Sequence, residues 1–125
     1  MKEKKINLLG TEYTIRIVDK IGNDKELLGN ANDEDKFIEG ECNSAERVLS
    51  VATRKINGDF LSEFDFRKNL WHELVHAFLS EGQYLDSNQD EPLVEWLARC
   101  IASAISQGVC DIDNCNDNTV GDEVE

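Results

Sequence analysis

The sequence is short of positive charge, of histidine and of long apolar runs, and each shortage narrows its chemistry. Only 13 Lys and Arg stand against 26 Asp and Glu, for a net charge of -13. Phosphate backbones and anionic lipid surfaces repel such a chain, so nucleic acid is not an expected partner. No apolar stretch approaches the roughly 20 residues that cross a bilayer, and the mean hydropathy is -0.48, so no membrane association is expected. The basic start is followed by Asn7, Gly10, Thr11 and Glu12, which interrupt the apolar core a secretion signal would need. The expected location is therefore cytoplasmic, with Cys42, Cys100, Cys110 and Cys115 reduced.

The 125 residues suit one compact domain. Residues 1–108 carry the patterned segments, and residues 109–125 read as a disordered acidic tail. Asp111, Asp113, Asp117 and Asp122 superficially suggest a calcium loop, but Cys115 and Asn116 stand where an oxygen ligand and the turn glycine belong. Over 12–19, Tyr13, Ile15 and Ile17 alternate with polar residues, as in a half-buried strand. Residues 22–40 read as loops. The β-branched run from Val48 to Thr53, inside 47–56 and closed by Asn57-Gly58-Asp59, predicts a second strand.

Helical spacing then takes over. Phe66, Leu70, Trp71, Leu74, Val75 and Phe78 define a helix over 64–80, with Gly82 placed for a C-terminal cap. Pro92, the single proline, opens a second helix whose stripe runs through Leu93, Val94, Leu97, Ala98 and Ile101 to Gly108. Trp71, Phe78 and Trp96 are expected to pack in the core.

The two histidines of the chain are His72 and His76, with Glu73 between them. Chance produces this spacing and sequence in roughly one such chain in 500, so a chemical reason is warranted. Residues four apart on a helix share a face, and two imidazoles so placed can converge on one tetrahedral zinc. Glu73 lies about 100° further round, beside the metal without replacing a ligand, where a carboxylate can take a proton from water activated by the ion. With no third histidine available, the third ligand must be a carboxylate or a thiolate. Glu91 and Glu95 share a face at the start of the second helix, which can fold back antiparallel on the first. One can bind zinc while the other supports it.

The run Trp71-His72-Glu73-Leu74-Val75-His76-Ala77-Phe78, followed by Glu91-Pro92-Leu93-Val94-Glu95-Trp96-Leu97-Ala98, resembles the gluzincins. It is similar in particular to the minimal metallopeptidase-like proteins of phage and bacterial genomes, including the ImmA/IrrE type. The resemblance covers about residues 42 to 105 and implies a minimal zincin: an α+β domain with a small N-terminal sheet packed on the HExxH helix and on a second ligand-bearing helix. It implies Zn2+ held by His72, His76 and Glu91, Glu73 as the catalytic base, and Glu95 as the carboxylate that orients a histidine. Pro92 departs from the pattern by biasing Glu91 away from helical geometry, which leaves Glu95 as an alternative ligand. Tyr84 and Arg99 are candidates for stabilising an oxyanion. The resemblance further implies an extended protein or peptide substrate lying along a sheet edge, with the strand near Val48 to Thr53 as the candidate.

The function expected from these residues is zinc-dependent hydrolysis of a protein or peptide amide bond. The competing expectation is a non-catalytic module of the same fold that keeps zinc for stability or binds a partner such as a repressor.

Overall fold

The computed structural model describes residues 2–21, 39–55 and 57–108, which form an α+β fold: a four-stranded mixed sheet followed by helices. Most of the loop expected over 22–40 lies outside the described residues, as does the tail over 109–125 with Cys110, Cys115 and the aspartates weighed for calcium.

Strands β1 (Lys2–Leu8) and β2 (Thr11–Val18) form an antiparallel hairpin. Its two-residue turn uses positive φ at both central positions, 53° at Leu9 and 89° at Gly10, and the Gly10 N–H donates to Asn7 Oδ1 at 2.8 Å. The alternation along β2 is realised, with Tyr13 and Ile15 buried. Sequence reading misses β1 because Lys2, Glu3, Lys4 and Lys5 disguise a strand that keeps only Ile6 and Leu8 from solvent.

Strand β4 (Val48–Ala52) lies between β2, its parallel neighbour, and β3 (Gly40–Asn43), which pairs with it antiparallel. Leu49, Ser50, Val51 and Ala52 are all buried, as in a strand covered on both faces, which is why the run shows no alternation. The strand expected over 47–56 ends at Ala52, and the chain then turns back on itself through the Arg54–Phe60 bridge. One expectation is thereby corrected. The 48–53 segment cannot be a substrate-binding edge, because β2 and β3 already occupy both its sides. Among the described residues the sheet edges are β1 and β3, and β3 escapes a sequence reading because Gly40, Glu41 and Asn43 have little strand propensity.

Helix α1 (Glu63–Glu81) begins at Ser62, whose Oγ accepts from the Asp65 N–H at 3.0 Å. It packs against β3, β4 and the later helix α3 (Glu91–Ser106), with the single turn α2 (Leu85–Asn88) between the two. Leu74 and Ala77 join Leu8, Tyr13, Ile15 and Leu49 in the core, with Trp71 and Phe78 packed against the cluster. Trp96 does not join them: it is 63% exposed, on the side of α3 away from buried Val94, Ala98 and Ala102. Gly82 caps α1 in right-handed geometry at φ -83°, and the left-handed position falls to Gln83 at 60°. A side chain at Gly82 would meet the Tyr84 ring at 2.9 Å, so the glycine makes room for that ring.

Pro92 does not expel Glu91 from the helix. Asp90 caps α3 by accepting from the Leu93 N–H at 3.2 Å, and Pro92 sits in the first turn, where a missing N–H costs nothing. No helix among the described residues is long and apolar enough to cross a membrane.

Candidate metal centre

Helix α1 turns Lys68, Asn69, His72, Glu73 and His76 toward α3 and the start of β3, and α3 returns Glu91 and Glu95 against them. The two imidazoles stack edge to face, with ring centroids 5.0 Å apart. Glu91 bridges them: its Oε2 lies 3.0 Å from His72 Nε2, and its Oε1 lies 3.0 Å from His76 Nε2. One ligand atom from each of these three residues falls within 4.8 Å of the others. Glu91 is therefore the carboxylate that shares a focus with both histidines.

Glu95 has a different partner. Its Oε1 accepts from His72 Nδ1 at 2.9 Å, while its Oε2 meets Lys68 Nζ and Arg99 Nε, each at 3.1 Å. Burial alone would raise its pKa, but the hydrogen bonds from His72 and Lys68 outweigh that and hold the carboxyl below its ordinary range. On the other ring, His76 Nδ1 lies 2.6 Å from Asn88 Oδ1 of α2, an orienting contact that no sequence motif announces.

Donor counting tests whether a cation fits. Both nitrogens of each imidazole face an oxygen: Glu95 and Glu91 at His72, Asn88 and Glu91 at His76. A neutral imidazole has one N–H and can satisfy only one such neighbour. If Nδ1–H donates to Glu95 and to Asn88, both Nε2 atoms present lone pairs toward the Glu91 carboxylate. Three electron-rich atoms at one focus repel unless a metal cation or an added proton joins them, and two imidazoles with one carboxylate form a donor set suited to zinc.

Glu73 is 6% exposed and lines a cleft of about 330 Å³ with Glu39, Gly40, Lys68, Asn69, His72 and Glu95. Burial, reinforced by the charges of Glu91, Glu41 and Glu95 and opposed by Lys68, pushes its carboxyl up to about 8. Asn69 Nδ2 donates to Glu39 Oε1 at 2.6 Å and ties the entry to β3 onto α1. Neither Tyr84 nor Arg99 lines the cleft: Tyr84 is 65% exposed and Arg99 is engaged by Glu95. The cation in the cleft wall is Lys68. Cys42, on β3, has its thiol pushed up to about 12 by burial and then by Glu73 and Glu41, and it does not share the focus of His72, His76 and Glu91.

No protein-family model matches this chain, and no curated protein or solved structure matches it either.

Proposed function

We propose that this protein is a zinc-dependent hydrolase that cleaves an amide bond of a protein or peptide. The observation that carries the reading is the convergence of His72, His76 and Glu91 on one focus, with the buried carboxylate of Glu73 in the adjoining cleft. When bound, zinc supplies Lewis acidity that polarises a carbonyl and acidifies water. His72, His76 and Glu91 would hold the ion, with Glu95 and Asn88 orienting the two rings through their Nδ1 atoms. Glu73 would accept the proton of the attacking water and deliver it to the leaving amine, acting in its ionised form once a bound cation offsets the neighbouring carboxylate charges that help raise its pKa in the metal-free protein. An extended substrate would lie beside β3, the sheet edge that reaches the cleft through Gly40.

Three protein donors converge among the described residues, one fewer than closes a tetrahedral structural site, and this favours the hydrolase over a module that keeps zinc only for stability. The free thiols of Cys42 and Cys100 suit a reducing compartment such as the cytoplasm.

The test is Glu73→Gln in zinc-loaded protein, assayed on a quenched-fluorescence peptide library. Hydrolysis should fall at least about 100-fold, in the range set by loss of a general base, while one zinc per chain is retained. Full activity in that variant would remove Glu73 from the mechanism.

A further inference from the structure

Gly40 opens β3 directly against Glu73. A Cβ built on it would stand 2.6 Å from Glu73 Oε2, 3.0 Å from its Cγ and 3.1 Å from its Cδ. Backbone conformation does not explain the glycine, because the positive-φ glycines among the described residues are Gly10, Gly58 and Gly108. What distinguishes position 40 is the carboxylate it faces.

We propose that Gly40 is the positioning residue for Glu73: its missing side chain forms the seat in which the carboxylate rests beside the histidines. The inference rests on the hydrolase reading for its catalytic consequence, but the contact itself does not. The strand cannot readily retreat from a larger residue. Gly40 is in register with Val51, the Ala52 N–H donates to the Glu39 carbonyl at 2.9 Å, and the Glu39 side chain is held by Asn69. The end of the Glu73 side chain is the part free to move. Ordinary contact begins near 3.4 Å, so an added methyl displaces that carboxylate by roughly 0.8 Å, and a misplacement near 1 Å costs on the order of 100-fold in rate. His72, His76 and Glu91 are not among the atoms a methyl at Gly40 would meet most closely.

The experiment compares wild type, Gly40→Ala, Glu73→Ala and the double variant. Zinc affinity of Gly40→Ala should stay within about threefold of wild type, well short of the 10–100-fold loss that follows disruption of a ligand's support. With zinc loaded, kcat on the peptide library should fall on the order of 100-fold with KM unchanged. In metal-free protein, the loss of Tm caused by Gly40→Ala should shrink by half or more in the Glu73→Ala background, because the clash has lost its partner; the unfolded-state effect of Gly→Ala cancels in this cycle. If Gly40→Ala does not fold, folding of the double variant supports the seat and its failure to fold overturns it. An equal Tm loss in both backgrounds also overturns the proposal. Zinc-loaded wild type without hydrolytic activity would end the hydrolase reading, and the Tm cycle would still decide the contact between Gly40 and Glu73.

Discussion

The Nδ1 of His76 lies 2.6 Å from the Oδ1 of Asn88, so a residue of the short turn between the two main helices sets which nitrogen of that imidazole faces Glu91. The two histidines are thereby oriented by unlike groups, the charged Glu95 at His72 and a neutral amide at His76.

Asn88→Leu removes the acceptor while keeping the number and branching of side-chain heavy atoms. Zinc affinity, measured by competition with a chromogenic chelator, should fall about 10–100-fold, and Asn88→Asp, which keeps an acceptor, should hold or strengthen it. Unchanged affinity in the leucine variant would show that the contact does not orient His76.

Glu91 and Glu95 should separate cleanly in the same assay. Glu91→Ala, like His76→Ala, should lose stoichiometric zinc, since its oxygens face both Nε2 atoms. Glu95→Ala should retain zinc at affinity lowered about 10–100-fold, as expected for loss of a group that only orients a ligand. The reverse pattern would transfer the ligand role to Glu95.

The pH dependence of the metal-free protein follows from Glu73, whose carboxyl rises from 4.5 to about 8 on folding, chiefly through burial. The folded state holds this proton more tightly than the unfolded chain, so the contribution is full below 4.5 and is lost as pH climbs through about 8. The full shift corresponds to about 5 kcal/mol at most. Urea unfolding across this range should show wild type losing stability relative to Glu73→Gln as pH rises. Parallel curves for the two proteins would mean that Glu73 ionises freely in the fold.

Ala98 is fully buried on α3, the helix that carries Glu91 and Glu95 and packs on α1. Ala98→Leu should cost about 1–3 kcal/mol through overpacking and should weaken zinc binding as well, because the spacing of the two helices sets the ligand focus. Destabilisation with zinc affinity intact would show that the core deforms elsewhere.

The helices and the candidate site residues on them were legible in the sequence because helical periodicity places His72, Glu73, His76, Glu91 and Glu95 without long-range information. Asn88 was not, since a single asparagine in a polar connection carries no spacing signal. The edge strands were not legible either: β1 is masked by its lysines, and β3 by Gly40, Glu41 and Asn43. The lost edge had a consequence at the site, because Gly40 reaches Glu73 only through the pairing of β3 with β4. Trp96 shows the opposite failure, a large apolar residue whose spacing resembles the core stripe but whose side of the helix faces out.

His72 and Glu91 are 19 positions apart, whereas the parallel pairing of β2 with β4 joins Thr14 to Val48 across a longer stretch of chain. Closing the shorter loop costs less conformational entropy, and all three donors belong to one local helical hairpin. The seat of Glu73 is built from a distant strand. On the proposed reading, capture of the ion would rest on the hairpin and its use on the sheet that carries Gly40. On the hydrolase reading, a chain with this hairpin formed and its sheet unpaired would retain the three donors but not the seat of Glu73.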